Sequence, residues 1–174
     1  VAQNLPVKYD GEWTAPCTAC DVETGQGNPF PVYMYGVLMA EVEVDVTTGK
    51  TKVENLTMVS DCGTIVNKIV IEGQLYGGLV QGIGLALSED FEDLKKHVTL
   101  TACGIPQIKD VPDNITLIHQ ETPRPNGPYG AAGAGEMPLS APHAAIVNAI
   151  YNACGARITK LPALPEKVLA ALKK

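Results

Sequence analysis

Between residues 41 and 46 valines and carboxylates alternate, with Val42, Val44 and Val46 interleaved among Glu41, Glu43 and Asp45. A period of two places each set on its own side of an extended chain. The run from Tyr35 to Val46 therefore predicts a half-buried β-strand with an acidic, solvated outer face. Thr47-Thr48-Gly49-Lys50 follows as a turn, with Gly where a positive φ is needed, and Val53 to Val59 returns as the partner strand of a β-hairpin.

The period then lengthens. From Val70 to Ser88, Leu75, Leu79, Ile83 and Ala86 recur at helical spacing and form an apolar stripe, and the charged run 89–96 extends or ends this helix. Gly73, Gly77, Gly78, Gly82 and Gly84 lie in the same helix, each costing about 0.5–1 kcal/mol relative to Ala, so packing must offset a weak propensity. Gln74, Gly77, Gln81 and Gly84 make a second stripe of amides and small residues. That stripe fits either close packing against another element or a ligand laid along the helix. Amides offer donors and an acceptor to a neutral heteroaromatic ring such as a pterin, whereas a bare phosphate asks for Arg or Lys.

Residues 99–113, with Gly104, Pro106 and Pro112, read as an irregular connection to a short strand at Ile115 to His119. A long loop runs from Thr122 through Gly130 to Glu136, after which Pro138 and a capping-type Ser140 open a helix with Ile146, Val147, Ile150 and Cys154 on one face. Gly155 is placed to stop it. The tail reads as a brief strand and a terminal helix opened by Pro165-Glu166. Residues 1–32, rich in Pro and Gly, form a loop-rich N-terminal segment. Residues 33–174 form one α+β lobe, a hairpin and short strands packed with three or more helices as part of a larger domain.

Composition narrows the function. With 45% hydrophobic and 18% charged residues the chain can bury a core, and its net charge of -6 provides no basic field for nucleic acid. No run approaches the roughly 18 apolar residues of a membrane span, and the start, Val-Ala-Gln-Asn, has neither Met nor a signal pattern, so the chain reads as a piece of something longer. Cys17, Cys20, Cys62, Cys103 and Cys154 are an odd, scattered set rather than a disulfide framework. Cys17-Thr-Ala-Cys20 lacks the second pair a zinc site needs, and His97, His119 and His143 are too dispersed for a metal motif, which favours packing or capping roles.

The loop before Glu136 carries the candidate chemistry. Gly130, Gly133 and Gly135 run as GxxGxG, the reverse of the dinucleotide fingerprint, and no P-loop motif is present. Small residues still allow a ligand to approach the backbone closely, near the N-terminus of the following helix. Glu136 has no basic neighbour in sequence. If buried it would be a desolvated carboxylate suited to general-base work, and if exposed an ordinary first-turn Glu beside a helix dipole.

Gly127-Pro-Tyr-Gly-Ala-Ala-Gly-Ala-Gly-Glu136, followed by Pro138-Leu-Ser-Ala-Pro-His143, resembles the C-terminal molybdopterin-domain signature of the xanthine oxidase family of molybdenum hydroxylases, especially its bacterial aldehyde-oxidising members. Asp61-Cys-Gly-Thr-Ile-Val-Asn67, Gly73-Gln74, Gly77-Gly78, Gln81-Gly82 and the closing Leu161-Pro162 to Leu169 resemble further blocks, in family order from about residue 33. The resemblance implies that Glu136 is the active-site base for oxidation of an aldehyde to a carboxylic acid with water as oxygen source. It implies that Gln74, and with it Asn67 and the Ala132-Gly133-Ala134-Gly135 backbone, contacts a molybdopterin cytosine dinucleotide whose molybdenum is held by the pterin dithiolene and by no protein ligand. By the same resemblance two [2Fe-2S] clusters lie in upstream domains of the same polypeptide, and the full subunit is a homodimer, cytoplasmic or periplasmic. Xanthine or another N-heterocycle as substrate, and a non-catalytic scaffold, are the competing expectations.

Overall fold

The computed structural model describes residues 8–173, so Val1 to Asn4 and Pro6 of the N-terminal reading, and Lys174, lie outside the described residues. Residues 8–34 form neither helix nor strand, and Cys17 and Cys20 are exposed free thiols there. The predicted hairpin follows as β1 (Tyr35–Val44) and β2 (Thr51–Asp61), antiparallel. Asp45 Oδ1 accepts from the Thr47 and Thr48 amides, and Gly49 takes φ 77° under the terminal helix, so the turn is closed by its own side chains.

Opposite Glu41 and Val42 the register slips by one residue, with Asn55 and Val53 as their partners and Glu54 bulged out. That bulge explains why the buried positions of β2 run Val53, then Leu56, Met58 and Ser60, rather than in strict alternation. The outer face of β1 differs from the predicted acidic surface. It is acidic at Glu41 and Glu43, but at the other end Tyr35, Val37 and Met39 are exposed.

A 20-residue helix, α1 (Lys68–Leu87), crosses from β2 and is followed by an irregular stretch to β3 (Asn114–Gln120), which adds parallel to β2 to give the order β1-β2-β3. Then come α2 (Met137–Ser140), α3 (Pro142–Cys154) and α4 (Pro165–Leu172). The α+β class is thus as read from the sequence. Leu75, Leu79, Ile83 and Ala86 are all at most 3% exposed and meet Leu56, Met58, Ile146, Ile150 and Val168 in one core. Burying three such aliphatic side chains contributes about 1.5–3 kcal/mol each, enough to offset the glycine cost of α1.

Two further expectations fail. No strand forms among the described residues after Cys154, where the chain 155–164 instead packs irregularly, the Ala163 amide donating to the Ala86 carbonyl at 2.6 Å. Ser140 is the last residue of α2, not the cap of a long helix: Pro142 restarts the chain as α3, and Ser140 Oγ donates back to the Glu136 carbonyl at 3.3 Å. Gly155 does stop α3, at φ 79°.

The glycines of α1 sort by what they face. A Cβ at Gly78 would overlap the Pro138 ring and one at Gly82 the Pro142 ring, whereas Gly73 and Gly77 face open space. Gly78→Ala and Gly82→Ala are each expected to destabilise the chain by about 1–3 kcal/mol through overpacking. Gly73→Ala should stabilise it by about 0.4–1 kcal/mol, as urea midpoints will report.

Candidate functional site

The loop between β3 and α2 is stapled to the chain that leaves β2. Gly63 pairs with Ala131 as an isolated antiparallel bridge, and the Ala132 amide donates to the Cys62 carbonyl at 2.8 Å. The Gly130 carbonyl accepts from both Thr64 N (3.0 Å) and Arg124 N (2.9 Å). Glycine is required at residue 63, because φ is 69° and a Cβ would run into the Gly130 carbonyl. Tyr129 turns the loop with φ 53° and is 94% exposed, a sparsely populated conformation for a bulky residue, costing of order 1 kcal/mol.

Side chains complete the staple. Arg124 Nη2 lies 3.0 Å from Asp61 Oδ1 and donates to the Asp61 carbonyl at 3.2 Å, while Nε donates to the Tyr33 carbonyl at 3.0 Å. Its guanidinium sits 5.1 Å from the centre of the Tyr35 ring. Burial works to raise the Asp61 pKa, but hydrogen bonds from the Thr122 hydroxyl and from the Gly63 and Thr122 amides, with the charge of Arg124, outweigh it and hold the carboxyl below its ordinary value. Burial, and then the Asp61 charge, push the neighbouring Cys62 thiol up, which keeps it protonated and unreactive.

The α1–α2 contact relates two of the residues singled out from sequence. Pro138 seats α2 against Gly78 of α1; Glu136 stands two residues before Pro138, and Gln74 one helical turn before Gly78. Both side chains are exposed, so a buried Glu136 is not what this chain provides by itself: the residue forms the open N-terminal end of the short α2. The second stripe divides. Gln74, Gly77 and Gln81 face outward, whereas Gly84, on the same side of the helix, is covered by Glu89 and Pro106 of the segment that follows α1. Asn67 accepts the Val70 amide at 3.2 Å as the cap of α1, which occupies its oxygen and leaves its NH2 free to reach outward. His119 bridges Ser60 Oγ (3.2 Å) and Glu72 Oε1 (3.3 Å), a polar link between sheet and helix, as expected of a packing histidine.

The donor set suits a heteroaromatic cofactor. Among the described residues no protein group accepts from the amides of Gly133, Ala134, Gly135 or Glu136, and a Cβ at Gly135 would meet nothing within 4 Å. This is a run of N–H groups without protein acceptors, exposed at Gly133, Gly135 and Glu136 and buried at Ala134. No three His, Cys, Asp or Glu side chains among the described residues are grouped to hold a metal ion. A groove of about 510 Å³ lies elsewhere, between the start of β2, the end of α1 and residues 101–111, and includes none of these residues.

Residues 1–112 match the family described as the molybdopterin cofactor-binding domain. The chain belongs to that family. It is 58% identical over 173 residues to the aldehyde oxidoreductase of Megalodesulfovibrio gigas, covering 99% of this chain and 19% of that protein. It is 38% identical over 149 residues to the large subunit of nicotine 6-hydroxylase from Paenarthrobacter nicotinovorans, covering 82% and 18%. The crystal structure of the aldehyde oxidoreductase from Desulfovibrio desulfuricans superposes with a TM-score of 0.89 at 62% identity, over 94% of this chain and 18% of that one. The chain thus spans less than a fifth of the length of these relatives. This molybdopterin-binding family bears out the resemblance to xanthine oxidase-type enzymes, and no helix of the described residues is long and apolar enough to cross a membrane.

Sequence reasoning missed Arg124 and Asp61 as partners, since a pair 63 residues apart has no local signature. The one available signal was Arg124 as the lone basic residue of the loop 122–136. Because the folded Asp61 carboxyl is held low, it contributes stability above the unfolded value of about 3.9, and that contribution is lost as pH falls through the lower folded value. Asp61→Asn should therefore lower the urea midpoint at pH 7, with the gap to wild type narrowing as the pH falls below the ordinary carboxylate value.

Proposed function

We propose that this chain provides the catalytic base and part of the cofactor cradle of a molybdenum-dependent aldehyde oxidoreductase. The observation that carries the reading is the Gly78–Pro138 contact, which seats the chain two residues beyond Glu136 against α1 one helical turn from Gln74. It is supported by similarity to aldehyde oxidoreductases along almost the whole chain. The net reaction converts an aldehyde and water to a carboxylic acid, two protons and two electrons. When bound, molybdopterin supplies a redox-active metal that takes up the electron pair.

The chain's own residues do the rest at this edge. Glu136, exposed and without a side-chain cap bond at the start of α2, accepts a proton from the oxygen nucleophile. Gln74 hydrogen-bonds the pterin through its amide, and the bare N–H groups of residues 133–135, with Ala132 behind them and the free NH2 of Asn67, hold polar atoms of the same cofactor. Other parts of the polypeptide close the open side and exclude water, which raises the basicity of Glu136. The cytosine dinucleotide form, two [2Fe-2S] clusters in the remaining domains, a homodimer and a cytoplasmic or periplasmic setting complete this reading. A second reading, hydroxylation of an N-heterocycle, is favoured by the similarity to nicotine 6-hydroxylase and uses the same residues on a different substrate.

In the full-length protein, Glu136→Gln should lower aldehyde-dependent dye reduction by about 100-fold or more while molybdenum remains bound. Near-wild-type turnover with molybdenum in place would sink the proposal. Gln74→Ala and Gly77→Ala should lower molybdenum per folded molecule; unchanged occupancy would reduce that face of α1 to a packing surface.

A further inference from the structure

We propose that Arg124 and Asp61 are positioning residues for Glu136, a clasp that fixes the loop carrying it against the end of β2; this rests on the role of Glu136 proposed above. Arg124 is only 11% exposed in its side chain and Asp61 15%, although both lie at the rim of the fold, away from the aliphatic core. From one side chain, Arg124 ties together its own loop, the Tyr33 carbonyl before β1, and both the carbonyl and the carboxylate of Asp61. Asp61 Oδ1 in turn takes the Gly63 amide at 3.0 Å and the Thr122 amide at 3.2 Å, so the two strands of the staple share one acceptor.

The arrangement leaves Glu136 between two fixed points. Upstream, the loop is held as far as Ala132, whose amide bonds Cys62; downstream, Pro138 sits on Gly78. Between them the N–H groups of Gly133, Ala134, Gly135 and Glu136 find no acceptor among the described residues, and the next backbone bond is that of the Glu136 carbonyl, which takes the Leu139 amide at 3.1 Å at the start of α2. With both ends fixed, four residues have little freedom. With the upstream end released, the glycines at 130, 133 and 135 allow the carboxylate to wander by ångströms, and misplacement by about 1 Å can cost a factor of about 100 in rate. An Arg suits the upstream end because its planar fork serves two acceptors in different directions at once, which a Lys ammonium does not do with fixed geometry.

The test uses the full-length, cofactor-loaded protein with Arg124→Met, Arg124→Lys and Asp61→Asn, read by molybdenum content, aldehyde turnover and hydrogen exchange of the peptide covering 122–136. Arg124→Met is expected to retain molybdenum, lower kcat by about tenfold or more with KM changed much less, and speed exchange across 122–136 but not across the hairpin. Arg124→Lys should fall between Met and wild type. Should Arg124→Met not accumulate as folded protein, the Lys and Asn variants carry the same comparison. Wild-type kcat in folded variants overturns the proposal, whether or not the loop loosens; so does reduced kcat with loop exchange unchanged. Glu136→Gln keeps the two ideas apart: if that variant turns over normally the assigned base is wrong, whereas the exchange data still decide whether the clasp holds the loop.

Discussion

Two proline rings seated on two helical glycines set the geometry on which this fold depends. Pro138 on Gly78 and Pro142 on Gly82 bring α2 and the start of α3 into contact with the backbone of α1, with no side chain between. At that distance the aliphatic row of α1 reaches both the sheet and α3, so one helix can be the centre of a core shared by Leu56, Met58, Ile146 and Ile150. A helix with five glycines would be unstable alone, and its order is a product of this packing rather than a cause of it. The same contact delivers Glu136 to the neighbourhood of Gln74. Stability and site assembly therefore share one structural origin.

The elements with a strong period were legible in the sequence. The hairpin was written in the Val and Glu alternation and in Gly49, the core of α1 in Leu75, Leu79, Ile83 and Ala86, and the end of α3 in Gly155. Less legible was whatever depends on partners distant along the chain. Glu54 bulges because of its pairing with β1, Ser140 is displaced from a capping role by the Pro142 that follows, and Arg124 meets Asp61 only after β3 has aligned with β2. The tail after Gly155 reads as a brief strand, yet it pairs with no strand of the sheet and packs irregularly, tied by the Ala163 amide to the Ala86 carbonyl.

The candidate site was legible as a set of residues but not as an environment. Glu136 and Gln74 were marked by sequence, and they do lie at the same edge; what sequence could not convey is that this chain leaves both open to water. An exposed carboxylate and a row of unpaired amides are a poor catalyst in isolation and a good half of one. The chain spans less than a fifth of its relatives, and the apolar outer surface at Tyr35, Val37 and Met39 lies on the same end of the sheet as the stapled loop.

The mixed sheet has a consequence in time. β1 and β2 are joined by a short turn and can pair within microseconds, but β3 reaches β2 only after the whole of α1 and the irregular stretch beyond it have been brought round, a closure of high contact order. The loop that ends at Glu136 begins at the last residue of β3 and is fastened to groups at the far end of β2. It can therefore set only once the slowest pairing has formed. The geometry of the Glu136 loop is thus among the last features of the fold to be fixed, after the long-range closure at which misfolding is most expected.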